Sequence, residues 1–197
     1  MKPIILSTGM GTFEEIKNAT NVIRRQKNNQ IILLHSVSGY PTPPDEVNLN
    51  SISFLKKKFS YPIGYSDNGA NLLVPKIATA LGAKVIEKHF TISKKMQGPD
   101  HKASLSPKEL IETVDDIKKT NLIMGSFFKS PSKSEKKNIK IIRKSLFAKK
   151  HIAINEVFSD KNMIFKRPLI KNNGNLYLEI LGKKSKRIFK KNELIKI

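Results

Sequence analysis

Apolar residues in the first 125 positions gather into four short unbroken runs, each followed by a longer amphipathic stretch. Residues 3–9, 31–34, 61–65 and 84–90 lack the polar alternation of a half-exposed strand, so they are predicted to be strands buried on both faces of a parallel sheet. Thr12 and Glu15 fit a capping box for a helix reaching about Lys27. A second helix is predicted around 48–59, and a third from about Leu72 to Leu81, stopped by Gly82. Ser106, Pro107 and Glu109 supply an N-cap, a first-turn proline and a capping box for a fourth, reaching about Met124.

Four strand–helix units in succession are the pattern of (β/α) repeats, in a parallel sheet or a barrel. A (β/α)8 barrel needs eight such units. Every predicted strand ends in polar residues: Ser7-Thr8-Gly9, His35-Ser36-Val37-Ser38, Ser66-Asp67-Asn68 and Glu87-Lys88-His89. A Pro-rich loop with Tyr40 follows the second, and a Gly-Pro loop with Asp100 and His101 follows the fourth. The carboxyl ends of parallel strands are where α/β folds place their chemistry.

The texture changes after residue 125. Residues 126–140, rich in Ser and Lys, read as a basic linker. From 141 to 197 the apolar pieces are short (145–148, 151–154, 163–165, 176–180 and 194–195), and they are predicted to form a small β-rich domain of short strands.

Composition narrows this picture. With 39% hydrophobic residues the chain can bury a core, and without cysteine it has no disulfides or thiolate metal sites. It contains no apolar run long enough to span a membrane and no signal-peptide core, so a soluble, cytoplasmic protein without a membrane partner is expected. The net charge of +21 is uneven: residues 1–125 hold 17 Lys/Arg against 11 Asp/Glu (net +6), and 126–197 hold 20 against 5 (net +15). No basic stretch is interleaved with aromatics, so a solvated Lys-rich surface is favoured over a nucleic-acid site, and an anionic small substrate also suits the charge.

The runs Lys2 to Met10, Leu34-His35 with Tyr40-Pro41, Gly64 to Asp67, Val85 to Thr91, Gly98 to Leu105 and Lys166-Arg167-Pro168 occur in that order. In this the chain resembles the sialic acid synthases, a family that includes N-acetylneuraminate, legionaminate and pseudaminate synthases. The resemblance implies an α/β fold: a partial TIM (β/α)8 barrel, its last four units at 1–125, then a linker at 126–140 and a small β-clip antifreeze-like (SAF) domain at 141–197. It implies condensation of phosphoenolpyruvate with an N-acetylmannosamine-like sugar, assisted by Mn2+ or Mg2+. It also implies a homodimer that exchanges antifreeze-like domains.

By the same resemblance, His89 aligns with a metal ligand and Asn68 with the position where the family usually carries a second ligand, a histidine. Asp100 aligns with a contact to a sugar hydroxyl. Ser7, Ser66 and Tyr40 align with positions that bind phosphoenolpyruvate or line its site, and Ser38 stands where some members have a substrate-contacting Asn. Arg167 aligns with an arginine that reaches the sugar in the neighbouring subunit. Plainer readings stand beside these: His89 as a core histidine, the serines as caps, Tyr40 as loop packing, Arg167 as a solvated cation. Glu87 and Lys88 could pair with each other across solvent, and His101 could orient its loop. The absence of counterparts to strands one to four implies a chain incomplete as a synthase: a split-gene subunit that acts with a separately encoded first half-barrel, an interrupted reading frame or a truncated gene. The alternative is a non-catalytic remnant or a sugar- or phosphate-binding module. A lone half-barrel is also expected to expose apolar residues on one sheet face and to leave both sheet edges open.

Overall fold

The computed structural model describes residues 1–171 and 174–196. The chain divides into two compact units, Met1–Ser126 and Phe127–Ile197.

In the first unit, β1 (Ile4–Ser7), β2 (Ile31–Ser36), β3 (Ile63–Asp67) and β4 (Ile86–Lys88) form one parallel sheet in the order β1-β2-β3-β4. The connections carry α1 (Phe13–Arg25), α2 (Asn50–Lys58) and α3 (Val74–Ala80), and α4 (Pro107–Met124) follows β4. Sequence signals set the helix starts. Thr12 and Ser106 accept from the backbone N–H of Glu15 and Glu109, whose carboxylates reach back to the cap N–H. This satisfies donors that the first turn leaves unpaired.

Successive residues of a strand point to opposite faces, and the two faces of this sheet differ. One carries Leu6, Ile31, Leu33, Ile63, Tyr65 and Ile86, which pack on Ile16, Ile52, Leu55, Val74 and Ala78 of the helices. The other carries Ile5, Ser7, Leu34, Ser36, Gly64, Ser66 and Glu87, matched across the sheet by register. The expected apolar exposure on this second face is limited. Ile5 is 54% exposed, but Leu34 is fully buried, because it lies in the space that a side chain on Gly64 would need. Among the described residues β1 pairs only with β2 and β4 only with β3, so both edges are open.

In the second unit, β5 (Ser145–Ala148) and β6 (Met163–Lys166) pair antiparallel. Single bridges join Phe147 to Leu194, Ile152 to Phe189 and Val157 to Lys184. Leu146, Ile152, Phe158, Met163, Ile180, Phe189 and Ile195 form its core. Two expectations are corrected here. The segment read as a linker contains a helix, α5 (Lys133–Ile142), opened by a capping box at Ser132 and Glu135. The apolar piece at 176–180 is not a strand but part of α6 (Gly174–Ile180). Leu176 and Ile180 pack on the core while Leu178, which would share their face in a strand, is 74% exposed. That is helical spacing. No helix among the described residues is long and apolar enough to cross a membrane.

Candidate active site

The carboxyl ends of all four parallel strands border one cleft of about 590 Å3. β1 contributes Ser7, with Gly9 just beyond it. Ser36 and Ser38 come from the end of β2, and Tyr40 from the loop that follows. Ser66, Asp67 and Asn68 come from β3, and Glu87, Lys88 and His89 from β4. Most of these strand-end groups are uncharged hydroxyls and amides.

The last two strands meet in three successive polar rungs of constant offset. Ser66 Oγ donates to Glu87 Oε1 at 2.7 Å on the open face. One residue on, Lys88 Nζ stands 3.0 Å from Asp67 Oδ2, both side chains buried; it approaches as an ion pair and not as a well-aligned hydrogen bond. The next rung brings His89 Nε2 to 3.2 Å from Asn68 Oδ1. Glu87 and Lys88 therefore do not pair with each other: as neighbours in a strand they point to opposite faces, and each meets a residue of β3 instead.

The Asn68 carboxamide is fixed. Its Nδ2 donates to the Val37 carbonyl at 2.8 Å and to Ser36 Oγ at 3.3 Å, which turns Oδ1 toward His89. Ser36 Oγ in turn donates to the Ser66 carbonyl at 3.2 Å, tying β2 to β3. Tyr40, 59% exposed, sets its ring edge-on to His89 with centroids 5.8 Å apart. Burial pushes the Tyr65 hydroxyl pKa up, and the hydroxyl donates a hydrogen bond to Asp67 Oδ1 at 3.2 Å.

Two adjacent sites on an octahedral ion with donors at about 2.1 Å lie roughly 3 Å apart. Asn68 Oδ1 and His89 Nε2 match that separation, and an amide oxygen with an imidazole nitrogen suits Mn2+ or Mg2+. Among the described residues no group of three or more His, Cys, Asp or Glu side chains is placed to hold a metal. His89 Nε2 and Asn68 Oδ1 are the two donors that would hold such an ion.

Six of the eight expected site residues, Ser7, Ser38, Tyr40, Ser66, Asn68 and His89, line this cleft. Asp100 does not. Its side chain is exposed in the loop after β4, and its carbonyl accepts from Ala103 N, Ser104 N and Ser104 Oγ. His101 bonds Thr91 Oγ1 through Nδ1 at 2.7 Å, an anchor for that loop. Arg167 belongs to the second unit, where its Nε donates to the Ile142 carbonyl at 2.8 Å. Sequence reasoning assigned no role to Ser36, Asp67, Glu87 or Lys88. Ser36 was within reach, since it shares its face with Leu34 and Ser38 at a period of two.

Residues 1–129 match the NeuB family. The chain is 47% identical over 197 residues to the N,N'-diacetyllegionaminic acid synthase of Campylobacter jejuni, covering 99% of this chain and 59% of that protein. It is 37% identical to a pseudaminic acid synthase of the same species, over 94% of this chain and 54% of that protein. The crystal structure of an N-acetylneuraminic acid synthetase from Leptospira borgpetersenii superposes with a TM-score of 0.66 at 39% identity, covering 70% of this chain and 48% of that one. The chain spans about half the length of the curated relatives it matches.

Proposed function

The chain belongs to the NeuB family, and from that premise we propose that its cleft is the half-site of a nonulosonic acid synthase. The reaction joins phosphoenolpyruvate to an N-acetylmannosamine-like sugar and releases phosphate. The observation that carries this reading is the convergence of Ser7, Ser38, Ser66, Asn68 and His89 at the carboxyl ends of four parallel strands. In this reading the four strand–helix units are the last four of a barrel of eight, and the second unit is the antifreeze-like domain. The open edges of β1 and β4 support a complementary set of four units, on the same or a separate polypeptide, that closes the sheet. A homodimer that brings Arg167 to a neighbour's sugar belongs to the same proposal.

The chemistry asks for what the cleft supplies. C3 of phosphoenolpyruvate attacks the aldehyde carbon of the open-chain sugar, forming the carbon–carbon bond while the aldehyde oxygen takes a proton. Water adds at C2, and the tetrahedral intermediate expels phosphate by breaking its C2–O bond. The hydroxyls of Ser7 and Ser38 are donors for the phosphate and carboxylate oxygens, and Ser66, whose hydroxyl hydrogen is given to Glu87, lines the same pocket. The Lys88 ammonium is buried on the helix side against Asp67, so charge neutralisation of the phosphate falls to groups outside this half. Glu87, which already accepts a hydrogen bond from Ser66 Oγ, is placed to hold the water or a substrate hydroxyl. A Mn2+ or Mg2+ ion on His89 Nε2 and Asn68 Oδ1 would act as a Lewis acid toward the aldehyde. Tyr40 confines the imidazole from the loop side.

One observation favours a second reading, a substrate-binding remnant: Asn68 replaces the imidazole expected there by a neutral and weaker donor. One assay separates the two. The chain is incubated with phosphoenolpyruvate, N-acetylmannosamine and Mn2+, with and without the first four units of the Campylobacter legionaminic acid synthase, and phosphate and condensed sugar are followed by mass. Both products are expected only with the complementing half. If neither forms, while Asn68→His restores them, the remnant reading stands and the synthase reading falls.

A further inference from the structure

β3 and β4 meet over only three rungs, Tyr65 with Ile86, Ser66 with Glu87 and Asp67 with Lys88, and β4 is an edge strand three residues long. So short a parallel pairing is weakly specified by its backbone bonds, and a slip of one residue turns every β4 side chain to the other face. What separates the observed register from its neighbours is what each would bury on the helix side. Here the Asp67 and Lys88 side chains are 0% and 5% exposed, 3.0 Å apart. Lys88 also donates to the Gly69 carbonyl, and Asp67 Oδ1 accepts from Gly69 N at 2.9 Å and from the Tyr65 hydroxyl at 3.2 Å. Slipping β4 by one residue would bring Glu87 or His89 against the buried Asp67 in place of the ammonium. In one case two carboxylates would share a dry site, and in the other the strand would withdraw a cleft residue to the wrong face.

We propose that Asp67 and Lys88 are positioning residues, a buried ionic register lock that holds the Ser66–Glu87 and Asn68–His89 rungs on the open face of the sheet. The pair acts through the two strands, since its charges are spent on each other and on the Gly69 loop. Fixing register is the best-attested use of a buried ion pair, whose net contribution to stability is small once its desolvation is counted. The proposal rests on the synthase reading only for what the two flanking rungs are used for.

The test needs neither substrate, metal nor activity, so its failure is separate from failure of the synthase reading. The full chain is labelled with 15N at its four histidines, and the ring nitrogens of His89 are read from long-range 1H–15N spectra at neutral pH. The wild type is expected to give one His89 set, with the proton on Nε2 facing Asn68 Oδ1. The double variant Asp67→Leu/Lys88→Met, which buries no charge, is expected to remain folded, yet to show two or more His89 sets or to lose the Nε2 proton. If it fails to fold, Asp67→Asn gives the same readout, since it keeps an acceptor for Tyr65 and Gly69 and removes the charge. Ile52→Ala, a cavity variant of the same sheet–helix core, is expected to lower stability and leave the single set intact, which separates register from instability. A single unchanged His89 set in the charge-free variant overturns the proposal, as does a split set in Ile52→Ala.

Discussion

The parallel sheet of the first unit and the β5–β6 pair of the second hold together by opposite means. In the first, each strand is followed by a helix, the first and last of them opened by capping boxes, and the strands share a continuous register of three or four rungs. Its helix-side face packs on the helices, and its polar strand ends collect at one cleft. In the second, one four-rung pair is extended by isolated bridges, and core residues such as Ile152, Phe189 and Ile195 come from segments without regular structure. Repeated local units concentrate chemistry where they end. A small irregular core spends its residues on closing itself.

The largest expected effect tests that contrast at the cleft. Lys88→Met leaves the Asp67 carboxylate buried without a cation and is expected to cost about 3–5 kcal/mol. Hydrogen exchange should rise across the β3 and β4 peptides, and exchange unchanged there would mean the pair is not needed. Next, Ile152→Ala removes a fully buried side chain from a residue whose backbone pairs with Phe189, and about 3 kcal/mol is expected from lost burial and the cavity. Exchange should then rise in the peptides that cover β5 and β6. Smaller again, Ser106→Ala removes the cap of α4 and is expected to cost about 1 kcal/mol in urea denaturation.

The smallest effect concerns pH. Burial pushes the His35 pKa down, and its hydrogen bond to the Val47 carbonyl at 2.8 Å only partly offsets this. The folded chain therefore holds His35 neutral, while the unfolded chain binds a proton below about pH 6.5. The stability from neutral His35 is present above that value and is lost as pH falls through the lowered folded pKa. Denaturation midpoints should drop between pH 7.5 and 5, and His35→Gln should flatten that slope.

Much of the first unit was legible because its signals are local and periodic. Unbroken apolar runs marked the strands, and capping boxes marked the starts of α1 and α4 within a residue. The strand-end positions Ser7, Ser66 and His89 followed from where those runs stop. The Asp67–Lys88 pair was not legible, since residues 21 apart meet only once the β3–β4 register is known. The burial of Leu34 on the open face was not legible for the same kind of reason: it lies where a side chain on Gly64 of the next strand would be. In the second unit, Leu176 to Ile180 alternates like a strand yet folds as a helix, because tertiary packing on Ile180 outweighs a five-residue pattern. Asp100 came from resemblance alone, and it does not line the cleft.

The fate of one oxygen tests the central claim most directly. Phosphoenolpyruvate carrying 18O at the bridge between C2 and phosphorus is turned over by the chain together with a complementing half-barrel. Addition of water at C2 followed by C2–O cleavage predicts that the label leaves with inorganic phosphate and that the new keto oxygen comes from solvent. Label retained in the organic product would mean cleavage at phosphorus and would contradict the assignment of this cleft to a condensing synthase.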